Sequence, residues 1–509
     1  MGAENLFDPG NIGNKIMGIR TTAAILSAKA LSFACKTAGK QGVTMAGKLA
    51  MKMDPQILKK LASQVRGEII VTCGTNGKTT TNNLICSALE SEGRKVICNH
   101  TGSNMLMGVA AAFVLSASAD GKLDADNAVI EIDEASTVRV FPYFKPDYCV
   151  LTNLFRDQLD RYGEIDITMD LLKKAFDMAP EMKIIVNGDD SLSTYLARES
   201  GHEVITYGIS EQVKGSQGNA DGSSHEIREG QFCKCCGERL EYEFYHYSQL
   251  GIYRCPKCGF QRPEIDFDAC HIDLKDGLTF DVKESRASDA QDGTDHASFK
   301  DPSDPSDSSL KQKKEPEGTA LNSQKLRRIH ANYRGFYNIY NILACWAAVR
   351  TAGIGTEHFD RMLDAYNPEN GRNEQFMIGG SKVLLNLAKN PAGFNQNISS
   401  VMEDTSPKDL IIVINDNAQD GKDISWLWDV DFDRLRDESI RSITVSGLRC
   451  QDMRLRLKYV SIKADLIEDV KTAIEKRLED GCGNLYVLVN YTALYSTHII
   501  LKNMAENRT

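Results

Sequence analysis

The stretch from Glu68 to Gly93, EIIVTCGTNGKTTTNNLICSALESEG, constrains the fold more than any other part of the chain. An apolar run stops at Gly74, a short polar loop follows, and a helical pattern takes over at Thr79. Strand, glycine loop and helix in that order bring backbone N–H groups to a helix N-terminus, where donors and helix dipole together hold an anion. The spacing departs from GxxxxGK[ST]: counting back from Gly77, Lys78 and Thr79, Thr72 stands where the first glycine belongs. The working parts remain. The N–H groups of Gly74, Thr75, Asn76, Gly77, Lys78, Thr79 and Thr80 can converge on phosphate oxygens, Lys78 can reach the terminal phosphates, and the Thr79 hydroxyl can hold Mg²⁺.

Further buried strands read at 127–133 (NAVIEID), 147–154 (DYCVLTNL) and 183–190 (KIIVNGDD), separated by helix-length segments. That alternation predicts right-handed crossovers and a mainly parallel sheet covered by helices. A helical stretch at 336–353 closes this unit, and a second α/β unit runs through 382–393, 409–416 and 483–494. With roughly 100–200 residues to a domain, the 509 residues divide into an N-terminal helical segment (1–60), a central ATP-binding domain (61–375) and a C-terminal α/β domain (376–509). Residues 285–318 are rich in Ser, Asp, Lys and Pro with almost nothing apolar; they cannot offset their own ordering entropy and are expected to be a disordered insertion.

A net charge of −10 argues against a nucleic-acid partner, since such surfaces carry a basic excess. The N-terminus lacks the basic-then-apolar order of a signal peptide. Residues 17–36 are apolar enough for a packed amphipathic helix, but Arg20 and Lys29 interrupt the ~20 apolar residues a membrane span needs. The expected location is cytoplasmic. Fourteen cysteines then point to metal binding rather than disulfides. Cys233 and Cys236, then Cys255 and Cys258, form two CxxCG turns, the arrangement that sets four thiolates at the corners of a tetrahedron around structural Zn²⁺. The predicted zinc ribbon covers about 225–265, inserted in the central domain, and its surroundings hold no basic cluster for a nucleic acid.

GTNGKTT after a buried strand resembles the ATP loop of the Mur ligases and folylpolyglutamate synthases, and more of the chain continues the likeness. EIDEAS (131–136) matches the segment whose carboxylate holds Mg²⁺, with Glu131 in that place and Asp133 and Glu134 beside it. TNLFRDQLDRYG (152–163) is similar to the family's TN…DHLD segment, with Gln158 where a metal-binding histidine is usual. RGFYNIYN (334–341) implies Asn338 and Asn341 as adenine contacts, NGRNEQF (370–376) implies Arg372 on the ATP phosphates, and NLAKNPAG (386–393) replaces an acid and a histidine by Asn386 and Lys389.

With the ribbon and these replacements, the chain resembles a side branch of the family: the synthetase subunits that amidate lipid II. The resemblance implies a Mur-ligase-like α/β fold with a parallel-sheet ATPase domain, an inserted ribbon and a Rossmann-like C-terminal domain. It implies ATP-dependent conversion of the D-glutamate α-carboxyl of the lipid II stem peptide to D-isoglutamine through an acyl phosphate. Ammonia would come from a GatD-like glutaminase in a heterodimer, and the lipid substrate would be met at the inner membrane face. ATP, Mg²⁺ and structural Zn²⁺ are the implied cofactors, with Lys78 and Glu131 catalytic. In that branch an aspartate completes the glutaminase's Cys/His pair; Asp420 and Asp423 both fit, and the sequence does not choose between them. The alternative is a stand-alone ligase that adds an amino acid to a peptidoglycan or folate acceptor.

Overall fold

The computed structural model describes residues 18–37, 42–100, 102–156, 165–213, 229–275, 277–285, 326–332, 335–366, 371, 374–417 and 420–507. The insertion expected at 285–318 lies, all but residue 285, outside them, as do Asp157, Gln158, Asp160 and Arg372.

Three helices, α1 (Ile19–Thr37), α2 (Val43–Met53) and α3 (Ile57–Ala62), precede the first strand. Small residues set how closely they pack: Ala24 and Ala28 of α1 and Ala46 and Ala50 of α2 are fully buried. Thr21 donates to Asp54 at 2.6 Å and Lys60 at 2.7 Å, which ties α1 to α3 through one buried carboxylate. Helices α4 (Lys78–Ser91) and α5 (Leu106–Ser116) follow, and a side chain on Gly47 of α2 would collide with the Met107 carbonyl of α5. Among the described residues, no helix is long and apolar enough to cross a membrane.

The central sheet is built from β1 (Ile69–Cys73), β2 (Val96–Cys98), β3 (Asn127–Glu131), β4 (Tyr148–Leu151), β5 (Lys183–Asn187) and β6 (Val204–Ile209). Strands β7 (Glu241–Tyr247) and β8 (Leu250–Arg254) pair with each other apart from it, while β9 (Phe267–Asp273), β10 (Leu278–Glu284) and β11 (Leu326–Ala331) extend it. Its order is β11-β10-β9-β6-β5-β4-β1-β3-β2, parallel from β2 to β9 and antiparallel only at β10 and β11. Strands β1 and β3 are buried along their whole length, as expected where helices cover both faces of a parallel sheet.

The second sheet has the order β12-β13-β17-β14-β15-β16, from β12 (Glu374–Ile378), β13 (Ser381–Leu387), β14 (Lys408–Val413), β15 (Ile440–Ser446), β16 (Asp465–Leu466) and β17 (Asn484–Val489). Only the β12–β13 hairpin is antiparallel.

The paired acids that follow β5 fasten the ribbon to the central sheet. Asp189 accepts from Arg262 and from the Tyr340 hydroxyl, both at 2.6 Å. Asp190 accepts from Gln249 at 2.7 Å and from the Leu154 N–H at 2.8 Å, and also caps the helix Ser191–Glu199. One carboxylate therefore joins the β7–β8 turn to the segment beside the glycine loop.

Candidate active site

The carboxyl ends of β1, β3 and β4 meet at one edge of the central sheet, where open parallel sheets carry their ligand crevice. Thr72 lies fully buried inside β1, so the loop proper begins only after Cys73 and needs no earlier glycine. Gly74 has φ +121°, and a side chain there would strike Thr152 Oγ1 at 2.3 Å. Gly77 has φ +83°, and a side chain there would strike Asn341 Oδ1 at 2.3 Å.

The segment after β4 straps the loop in place. Asn153 Oδ1 accepts from the Asn76 N–H at 2.9 Å, Thr152 donates to the Asn76 carbonyl at 2.7 Å, and Thr75 donates to the Phe155 carbonyl at 3.0 Å. Thr75 Oγ1 in turn accepts from the Phe155 N–H at 2.9 Å. Lys78, Thr79 and Thr80 are all buried at the start of α4. Asn341 and Asn338, bonded to each other at 3.0 Å, sit on the helix Tyr337–Thr351 against the loop.

The three acids that follow β3 do different things. Glu131 is 2 % exposed; Asn104 donates to its Oε1 at 2.8 Å, while Oε2 is buried without a hydrogen-bond partner. A side chain on Gly102 would stand 3.3 Å from Thr79 Oγ1 and 3.4 Å from Glu131 Oε2, so these oxygens flank one small space. An orphaned carboxylate oxygen opposite a hydroxyl is a donor set that suits a hard cation such as Mg²⁺. Asn99 bonds both the N–H and the C=O of Glu131, at 2.9 and 2.8 Å, and fixes its backbone.

Glu134 instead pairs with Lys78 at 3.0 Å, and the ammonium also donates to the Gly74 carbonyl. Burial pushes the Glu134 carboxyl up to about 7, with Lys78 pulling the other way. Lys78, the first residue of α4, is thus held along the loop by Glu134 and the Gly74 carbonyl. Asp133 is buried alongside.

The second unit closes over this edge. Asn390 caps the helix Pro391–Glu403, accepting from the Gly393 N–H at 2.8 Å, with Pro391 in the first turn. Its amide donates to Asn76 Oδ1 at 3.1 Å, at the tip of the loop. Arg156 meets Asp429 at 3.5 Å, and Lys389 lies near enough to Glu134 to oppose its raised pKa. Asn386 is buried in β13.

Asp420 and Asp423 separate clearly. Asp420 is 5 % exposed, and both of its oxygens are taken by Thr492, the N–H at 2.8 Å and the hydroxyl, at the start of the helix Tyr491–Asn507. Asp423 is half-buried, its carboxyl held below the usual range by the Ser425 N–H at 2.8 Å. It lines a groove of about 330 Å³ with Lys422, Trp428, Leu455 and Arg456.

The cysteine quartet is assembled as its spacing predicts. The Sγ atoms of Cys233 and Cys258, and of Cys236 and Cys255, are 3.5 Å apart, and all four ligand atoms lie within 4.8 Å of one another. Tetrahedral zinc with Zn–S bonds of about 2.3 Å needs edges of about 3.8 Å. Gly237 and Gly259 take φ of +76° and +77° after each pair, which lets backbone N–H groups turn toward the sulfurs. The residues fit a closed metal centre.

Comparison with known proteins agrees with this geometry. Residues 71–250 match the Mur ligase middle domain and residues 387–494 the MurT ligase C-terminal domain. The chain is 31% identical over 94% of its length, and 96% of the relative's, to the lipid II isoglutaminyl synthase (glutamine-hydrolyzing) subunit MurT of Staphylococcus aureus (strain COL). It is also 31% identical to the MurT subunit of Streptococcus pneumoniae (strain R6), again over 94% of this chain and 96% of that one. The chain belongs to the MurT branch of the Mur ligase family. Its fold is shared by the pseudomurein peptide ligase type C of Methanothermus fervidus, at TM-score 0.62 and 18% identity over 87% of this chain and 80% of that one.

Within this Mur-family ligase, several contacts at the site have no signature in the sequence. The Lys78–Glu134 pair, the Thr152 strap and the Asn76–Asn390 bridge join residues 56, 76 and 314 positions apart. Asn390 alone carried a local sign, the Asn-Pro pair that starts a helix with a cap.

Proposed function

We propose that this chain is the synthetase subunit of a lipid II isoglutaminyl synthase. It would use ATP to amidate the α-carboxyl of D-glutamate in the lipid II stem peptide, with ammonia from a GatD-like glutaminase. The reading rests most on one observation: likeness to MurT subunits runs through both the ATPase core and the C-terminal unit, over 94% of the chain.

The site chemistry supports an acyl-phosphate route. A carboxylate oxygen of the substrate attacks the γ-phosphorus of ATP and ADP leaves; ammonia then attacks the acyl carbon, inorganic phosphate leaves, and the nitrogen gives up a proton. The loop N–H groups from Gly74 to Thr80 and the Lys78 ammonium neutralise charge on the transferring phosphoryl, so catalysis is mostly positioning and electrostatics. Thr79 and Glu131 would hold Mg²⁺, which supplies Lewis-acid charge at the phosphates. Asn338 and Asn341, bonded to each other on the helix beside the loop, would contact the nucleotide; Arg372 is proposed on the phosphates from its motif alone. The four ribbon cysteines would hold Zn²⁺ as a structural ion, since four thiolates leave no open position for chemistry.

For the partner glutaminase, Asp423 is the better supplier of an orienting aspartate. Asp420 has its oxygens committed to Thr492, whereas Asp423 opens on a groove with exposed Trp428 and Leu455. An aspartate in this role orients an imidazole and stabilises its charged form.

The test offers lipid II and ATP with ammonium, with glutamine plus a candidate glutaminase, or with single amino acids, and weighs the acceptor by mass spectrometry. Conversion of a carboxyl to a carboxamide with ATP consumption is expected. An acceptor that grows by a whole amino acid would make the chain a stand-alone ligase instead.

A further inference from the structure

We infer that Cys86, Cys98 and His100 form a second metal site, for Zn²⁺, separate from the cysteine quartet and built against the Glu131 loop. The three ligand atoms lie within 4.8 Å of one another, and Cys86 Sγ is 3.9 Å from His100 Nε2. Two sulfurs and an imidazole nitrogen around Zn²⁺ stand about 3.4–3.8 Å apart, so modest side-chain rotations close the set. Soft thiolate and imidazole donors select Zn²⁺ over Mg²⁺ or Ca²⁺, which take oxygen.

The surroundings are those of a ligand set rather than of chance neighbours. Cys86 lies on the inner face of α4, fully buried, and Cys98 is the last residue of β2. The Asn82 amide, one turn before Cys86 on α4, donates to Cys98 Sγ at 3.2 Å and ties the end of β2 to that helix. Asn83 donates to the His100 carbonyl at 3.3 Å and fixes the residue that brings the imidazole over the pair. His100 is exposed, so solvent reaches the imidazole, and water would supply a fourth ligand.

The placement gives the site a consequence. Asn99, Gly102 and Asn104, which shape the space around Glu131 and Thr79, follow directly on Cys98 and His100. Metal bound at His100 would pin the start of that loop to α4, the helix that carries Lys78 and Thr79. The site would then hold the loop near Glu131 in register without touching a nucleotide. This inference does not depend on the proposed reaction.

The experiment uses the full chain dialysed against a zinc-buffered solution under reducing conditions, followed by metal analysis by mass spectrometry. His100→Ala and Cys98→Ser are each expected to hold about one zinc equivalent less than the parent protein, while Cys233→Ser loses a different equivalent. His100 is exposed, so His100→Ala leaves the fold intact, which a melting curve checks. Hydrogen exchange gives a second readout: zinc should slow exchange at 99–104 in the parent and not in His100→Ala. Zinc content unchanged in both variants, or exchange at 99–104 that zinc slows equally in parent and His100→Ala, would overturn the proposal.

Discussion

The edge of the central sheet and the segment after β14 both hold buried acids, one the last residue of β3 and one seven residues beyond β14, yet they use them in opposite ways. Glu131, 2 % exposed, keeps one oxygen without a partner opposite the Thr79 hydroxyl. Asp420, 5 % exposed, has both oxygens occupied by Thr492. Burial pushes the Asp420 carboxyl up against those hydrogen bonds. Depth therefore does not mark a functional acid. What separates the two is whether folding has already consumed the lone pairs, since a buried oxygen left unpaired costs free energy unless a ligand satisfies it.

The comparison can be broken most severely at the loop. Lys78→Ala should lower ATP-dependent turnover by about 10³-fold, as for loss of a main charge stabiliser at a transferring phosphoryl, with little change in the melting temperature. Steady-state kinetics beside a thermal melt checks both halves, and retained turnover would remove Lys78 from the site.

In the C-terminal unit, Asp423→Asn should cut glutamine-driven amidation on the order of 10²-fold while ammonium-driven amidation stays at the parent rate. Equal loss with both donors would place Asp423 in the synthetase site rather than beside the partner.

Cys233→Ser with Cys236→Ser should release about one zinc equivalent and lower the melting temperature, the behaviour of a structural centre. Because Asp190 joins Gln249 of the ribbon to Leu154 beside the loop, nucleotide affinity should fall with it. A native protein whose quartet holds no zinc would refute the ribbon.

The smallest effect expected is Asp420→Asn, a loss of about 1–3 kcal/mol of stability from charged hydrogen bonds to Thr492, with both donor activities per folded molecule preserved. Chemical denaturation measures it, and a selective loss of the glutamine-driven reaction would exchange the roles of Asp420 and Asp423.

Much of this architecture was legible in the sequence, because strand, loop and helix signals are local. The run ending at Cys73 falls where the apolar pattern puts it, the helix begins at Lys78, one residue before the periodic stretch from Thr79, and the CxxCG pairs specify their own geometry. The antiparallel pair β10–β11 has no counterpart in the sequence pattern. Its two strands lie on either side of the polar insertion, and edge pairing of that kind leaves no periodic trace across so long a gap. The division of labour between Glu131 and Glu134 was equally hidden. Both acids fit a metal ligand by type and position, and only the fold shows one facing Thr79 and the other paired with Lys78. The same holds for Asp420 and Asp423, which differ by what Thr492, 72 positions away, does to one of them.

The central claim, that Thr79 and Glu131 frame the cation site of a nucleotide-binding edge, is tested most directly by Mn²⁺ binding followed by electron paramagnetic resonance in the presence of ATP. Glu131→Gln should weaken nucleotide-dependent Mn²⁺ binding by at least about tenfold, and Glu134→Gln, which faces Lys78, should leave it near the parent value. Unchanged binding in Glu131→Gln, or an equal loss in Glu134→Gln, would contradict the assignment.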